Sequence, residues 1–145
     1  MVVPRALFEP IRKIQDTILI CAPVVSQWAA LGAMQVGKSY CNEKLAETCE
    51  IRAILLKELA TVRDLVTIPR AEGAFYVLLR VHTDMDPMQL AQRLIEEHKV
   101  AVIPGTTFGV RDQCLLRVAY GALRKDTAAE GIDRLVRGLR RILAA

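Results

Sequence analysis

The sequence predicts an α+β fold: a small sheet of about three strands, covered by helices and preceded by a long helical stretch. Three observations carry this. Apolar residues recur at helical spacing from residue 7 to about residue 62. Past Pro69, short apolar and β-branched runs replace that period, at residues 75–81, 100–103 and 114–120. Between and after those runs stand two helix-start signals, at Asp86 and at Thr127.

The elements follow in order. Val2 and Val3 read as the end of a buried strand whose beginning lies before Met1, so the chain is expected to be a piece of something larger. Pro4 suits a first helical turn, and Leu7, Ile11, Ile14, Ile18 and Leu19 form an apolar stripe behind it. Pro23 breaks or kinks that helix. From Ser26 the pattern is helical again to about Val62, with Gly32 and Gly37 as weak points, and Leu45, Cys49, Leu55, Leu56 and Leu59 supply the stripe of its later part. A helix this long beside a small sheet often bridges two domains. Residues 1–62 are therefore read as an interdomain helical segment and residues 63–145 as the α+β domain. Asp86-Pro87-Met88-Gln89 is a helix start, with Asp as cap and Pro at the first helical position. Pro104-Gly105 stops the second strand. Thr127 with Glu130 has capping-box spacing, and Ile132, Leu135, Val136, Leu139 and Ile142 give an amphipathic closing helix.

Composition sets the limits. With 145 residues, 52% of them hydrophobic and 25% charged, the chain can bury a real core. The net charge of +4 gathers near the C-terminus in Arg124, Lys125, Arg134, Arg137, Arg140 and Arg141. Asp126, Glu130 and Asp133 interleave with them, so the reading is a solvated helix face rather than a nucleic-acid surface. No apolar stretch is long enough to cross a bilayer, and the run at 18–25 follows Glu9 and Asp16, as a signal sequence would not. Cys21, Cys41, Cys49 and Cys114 form no C-x-x-C pair and read as buried free thiols, which suggests a reducing, cytoplasmic setting. With only His82 and His98 there is little from which to build a Cys/His metal site.

Two motifs bear on chemistry. Gly32-Ala33-Met34-Gln35-Val36-Gly37-Lys38-Ser39 fits the phosphate-loop pattern G-x-x-x-x-G-K-[ST]. That motif needs a buried strand just before its first glycine, and Ser26-Gln27-Trp28-Ala29-Ala30-Leu31 is helix-like, so the glycines read as helix-packing positions. The informative residue is Arg117, inside Cys114-Leu115-Leu116-Arg117-Val118-Ala119-Tyr120. Alternation puts Leu115, Arg117 and Ala119 on one face and Leu116, Val118 and Tyr120 on the other. A guanidinium there is costly unless it is paired. Its partner is either an internal Asp or Glu, or a ligand carboxylate that its planar fork grips with two hydrogen bonds. The residues alone leave both open. Pro104-Gly105-Thr106-Thr107-Phe108-Gly109 is a tight loop able to approach a ligand, or a plain turn. In Gly73-Ala74-Phe75-Tyr76 the rings read as core.

Four stretches, in order and spacing, resemble the class I/II aminotransferases of pyridoxal-phosphate fold type I, the aspartate aminotransferase-like family. They are Asp16-Thr17 through Ala22-Pro23 to Ser26-Gln27; Glu72-Gly73-Ala74-Phe75-Tyr76; Val100-Ala101-Val102-Ile103-Pro104-Gly105 with Phe108-Gly109; and Leu116-Arg117-Val118-Ala119-Tyr120. The resemblance covers nearly the whole chain and is to the family's C-terminal third, its small domain. It implies that Arg117 grips the substrate α-carboxylate, that residues 102–108 wall the active-site mouth, and that Gly73 lies in a strand beginning beside the site. It also implies amino-acid and 2-oxo-acid substrates, pyridoxal 5'-phosphate in the full-length protein with none expected on this chain, a large domain of the same protein, and a homodimer. The family's cofactor-binding lysine stands in a Ser-x-x-Lys-like stretch followed by Gly-x-Arg-x-Gly. Neither pattern surrounds Lys13, Lys38, Lys44, Lys57, Lys99 or Lys125, so both are expected just upstream of Met1 and the chain alone is expected to be inactive. Two alternatives stand beside this reading. One is a non-catalytic α+β interaction or dimerisation module, with Leu7, Ile11, Val24, Val25 and Trp28 as an apolar patch. The other is a sister enzyme of the same fold, a lyase or decarboxylase.

Overall fold

A computed structural model describes residues 2–121 and 124–144. The chain divides into two compact units, Met1–Asn42 and Glu43–Ala145. In the first, Pro4 stands at the N-cap of helix α1 (Arg5–Ile18), and Pro23 at the N-cap of α2 (Val24–Val36). A proline carries no N–H, so it suits a helix entrance, where that donor has no partner inside the helix. None of the described residues of α1 or α2 is buried. Val2 is fully exposed and Val3 is in no strand, so the buried strand end expected there does not form among the described residues; Met1 lies outside them.

The continuous helix expected from Ser26 is two helices. Gly37 takes φ +72°, a left-handed conformation that side chains disfavour, and α3 (Lys38–Leu59) starts immediately after it. Gly32 interrupts nothing. A single 3₁₀ turn, Ala60–Val62, follows α3. The phosphate-loop pattern therefore falls largely inside helix. Between Gly32 and Val36 the backbone N–H groups serve the helix and cannot wrap a phosphate.

The second unit holds the sheet. Its strands are β1 (Val66–Thr67), β2 (Tyr76–Val81), β3 (Ile103–Pro104) and β4 (Leu115–Ala119), in the order β1-β2-β4-β3 and antiparallel throughout. The sheet thus has four strands where about three were expected. The extra one is two residues long, too short to show a period. The strand expected at 100–103 shrinks to Ile103–Pro104 because Val100 closes the preceding helix instead, its N–H donating to the Leu94 carbonyl at 3.2 Å. Pro104 is tolerated because β3 is an edge strand.

Helix α4 (Pro87–His98) begins as the sequence predicts: Asp86 Oδ1 accepts from the Met88 and Gln89 N–H groups at 2.9 and 3.0 Å. Helix α5 (Lys125–Leu143) begins two residues before Thr127. The Thr127 hydroxyl donates to the Arg124 carbonyl at 3.0 Å, so Thr127 lies within the first turn and the expected capping box does not form.

The core lies between one sheet face and three helices. Val77, Leu79, Val81, Leu116 and Val118 come from the sheet. Ile51, Leu55 and Leu59 come from α3, Leu90 and Leu94 from α4, and Ile132, Leu135, Leu139 and Ile142 from α5. Among the described residues no polar or charged residue is buried. Only Cys114 joins this core; Cys21, Cys41 and Cys49 are exposed, against the expectation of buried thiols, because the first unit buries none of its described helix residues and Cys49 faces away from the core.

Candidate functional site

The site lies on the other face of the sheet. Strand β4 is internal, flanked by β2 and β3, and the register pairs Arg117 with Leu78 on one side and Ile103 on the other. Directly paired residues share a face, so Arg117 stands among Leu78, Ile103, Tyr76 and Ala119, opposite the packed core. The alternation read from the sequence holds: Leu116 and Val118 are buried in the core, while Ala119 is exposed and Arg117 half-buried.

The surroundings of the guanidinium are aromatic. Its Cζ lies over the Tyr76 ring, 4.1 Å from the centroid, and 5.4 Å from the Phe108 centroid. The Nε–H is buried and has no hydrogen-bond partner. Of the two pairings left open by the sequence, the internal one is absent among the described residues, where no ion pair includes Arg117. A cation in that state favours a planar anion with two oxygens.

Phe108 is delivered by the loop after β3, which forms a 3₁₀ turn, Gly105–Phe108, closed by Gly109 in the left-handed region at φ +85°. Gly105 is required by close approach, since a Cβ there would stand 2.6 Å from the Leu115 Cβ. Ahead of β2, Ala74 adopts φ +65°, and its carbonyl accepts from the Tyr120 hydroxyl at 3.1 Å. Phe75 and Tyr76, read as core from the sequence, are 55% and 37% exposed. Phe108 ends the 102–108 stretch that the resemblance places at the site, whereas Tyr76, read as core, is the site residue that sequence reasoning missed. The strand order that brings both rings to Arg117 has no local signal.

Elsewhere among the described residues, His98 Nε2 is also buried without a hydrogen-bond partner, in an open groove lined by Glu97, Lys99, Arg134, Arg137, Arg140 and Arg141. All six lysines are exposed: Lys99 donates to the Glu96 carbonyl at 2.8 Å and Lys125 pairs with Glu50 at 2.9 Å. The basic residues of α5 form an ordinary solvated face, with Arg134 paired to Glu130 and Arg137 to Asp133. Among the described residues no group of His, Cys, Asp and Glu could hold a metal ion, and no helix is long and apolar enough to cross a membrane.

A family model for aminotransferase class I and II matches residues 1–135. The chain belongs to that family. It is 33% identical over 132 residues to an aspartate aminotransferase of Thermotoga maritima, covering 91% of this chain and 30% of that protein. It is 30% identical to the aromatic aminotransferase ISS1 of Arabidopsis thaliana, covering 90% of this chain and 33% of that protein. Among solved structures it is similar to LysN, the α-aminoadipate aminotransferase of Thermus thermophilus, solved with N-(5'-phosphopyridoxyl)-L-leucine. That match has a TM-score of 0.80 and 26% identity, and covers 99% of this chain and 38% of the other. The chain spans about a third of the length of the curated relatives it matches.

Proposed function

We propose that the full-length protein is a pyridoxal-phosphate-dependent aminotransferase, moving an amino group between an amino acid and a 2-oxo acid. In this reading the chain is its C-terminal small domain: residues 1–62 are the interdomain helical segment and residues 63–145 the α+β domain. Arg117 is the anchor for the substrate α-carboxylate. The observation that carries this is the half-buried guanidinium on the open sheet face, with no acidic partner among the described residues and a buried Nε–H left over. A carboxylate arriving there finds paired donors without having to displace a protein acid. Held by that grip, an amino acid presents its α-carbon in one orientation, which is how a binding residue lowers a barrier without taking part in the chemistry. The loop at residues 102–108 walls the same site through Phe108.

In this reading pyridoxal 5'-phosphate serves the full-length protein and none is expected on this chain alone. Its binding and chemistry belong, in this proposal, to a large domain of the same protein and to the second subunit of a cytoplasmic homodimer. The chain's part is to bind and orient substrate.

The test is kinetic. In the full-length protein Arg117→Lys keeps the charge but loses the fork, and kcat/KM for amino-acid donors should fall by the equivalent of about 2–4 kcal/mol. Unchanged efficiency for every amino acid tried would refute the role. Elimination or decarboxylation in place of amino transfer would move the protein to a sister activity.

A further inference from the structure

We propose that Tyr76 is a positioning residue for Arg117: its ring holds the guanidinium in place of a counter-ion and leaves the cation's in-plane donors free for a substrate carboxylate. The proposal rests on the reading of Arg117 as the carboxylate anchor and deepens it.

The argument starts from what a partly buried cation needs. Water has been removed from part of it, so it requires attraction from the protein or its position is lost. The common solution is an Asp or Glu. Such a partner would occupy the same N–H donors that a ligand carboxylate uses, and would repel that ligand. An aromatic ring avoids both problems. It attracts the cation through its negative face and, unlike a carboxylate, carries no charge that would repel an incoming anion. The 4.1 Å separation from the Tyr76 centroid is well inside the range over which that attraction acts.

The chain also fixes the ring. Tyr76 pairs with Ala119 in the β2–β4 ladder, which makes it the diagonal neighbour of Arg117, and the small Ala119 side chain leaves room for the ring to lean across. Just upstream, Phe75 meets Tyr76 edge-on, with centroids 5.7 Å apart and planes at 89°. The Phe75 carbonyl accepts from the Tyr120 N–H at 2.9 Å, and the Ala74 carbonyl accepts from the Tyr120 hydroxyl. Tyr120 is 2% exposed. Tyr120, one residue past the end of β4, thus clamps the two residues ahead of Tyr76: Phe75 through its backbone N–H, and Ala74, at φ +65°, through its side-chain hydroxyl. Phe108, farther away and on a loop, is the secondary contact.

The experiment is a set of variants of the full-length enzyme, assayed over a panel of amino-acid donors. Tyr76→Leu removes the ring and should raise KM for the preferred donor about fivefold to thirtyfold, the effect of losing a desolvated cation–π contact. Tyr76→Phe keeps the ring and should stay within about twofold of wild type. Because Tyr76 is partly exposed, the melting temperature serves as a check that Tyr76→Leu remains folded. In the Tyr76→Leu background, Arg117→Lys should cost less than it does in wild type, since the two residues act together. If Tyr76→Leu behaves as wild type while Arg117→Lys loses efficiency, the positioning role is overturned and the anchor stands. If Tyr76→Phe is as impaired as Tyr76→Leu, the hydroxyl rather than the ring matters and the proposal is again overturned. If Arg117→Lys has no effect, the anchor reading itself fails.

Discussion

The two faces of the sheet are built by the same residues in alternation, yet they are finished differently. On one, Val77, Leu79, Val81, Leu116 and Val118 meet apolar side chains of α3, α4 and α5, and nothing charged is buried among them. On the other, Leu78, Arg80, Ile103 and Arg117 share the surface with two partly exposed aromatic rings, and one guanidinium has π-faces where an acid would be expected. The packed face answers the problem of folding, because each side chain there gains by leaving water. The open face keeps a cation half-dry and uncompensated among the described residues. That arrangement gains little for folding; in the proposed function it serves as a surface prepared for an anion.

Breaking each face separately sharpens the contrast. Leu116→Ala, on the packed face, should cost about 2–5 kcal/mol of stability in urea unfolding, since it removes a fully buried side chain and leaves a cavity. Leu78→Ala, half-buried on the open face, should cost about 1 kcal/mol. Equal losses would mean that the two faces are equally core. Gly105→Ala tests where the faces meet the loop. The new methyl would press on the Leu115 Cβ at 2.6 Å and the Leu115 carbonyl oxygen at 3.2 Å, and overpacking of that kind costs about 1–3 kcal/mol. The displaced 3₁₀ turn carries Phe108, so Gly105→Ala should also weaken substrate use, whereas Leu116→Ala should lower stability without selectively raising KM.

How much of this was legible depended on the range of the signal. The Asp86 cap, the amphipathic α5 and the alternation around Arg117 rest on neighbours within four residues, and the structure has them. Thr127 misled because a hydroxyl three residues before a Glu fits both a cap and an interior first turn, and Arg124 had already started the helix. Gly32 and Gly37 are the same residue type, yet only Gly37 left the helix. Cys21, Cys41 and Cys49 are exposed against expectation because the burial of a thiol is decided by tertiary packing, which the spacing of cysteines does not carry. The site shows the same limit most clearly. Arg117 stood out as a charge in an apolar strand, but its contacts with Tyr76 and Phe108 depend on the strand order β2-β4-β3, which no local pattern encodes.

The smallest effect probes the edge of the packed face. Cys114 sits where β4 enters the core, and burial first, the Asp86 charge second, push its thiol up from 9.0 to about 11. Between those values the unfolded chain has released a proton that the folded chain retains. The folded state is therefore favoured fully below about pH 9, and that contribution is lost as pH rises toward about 11. Cys114→Ala removes the linkage, so its urea midpoint should fall less between about pH 8 and about pH 10.5 than that of the unaltered protein, the other groups titrating alike in both. Alkylation gives a second reading of the same thing. Cys21, Cys41 and Cys49 are exposed and should be modified at about pH 8, whereas Cys114 should react only after denaturant is added. Reaction of Cys114 at the rate of the other three would mean that water reaches the packed face at the start of β4, and the difference between the two faces would then be one of degree.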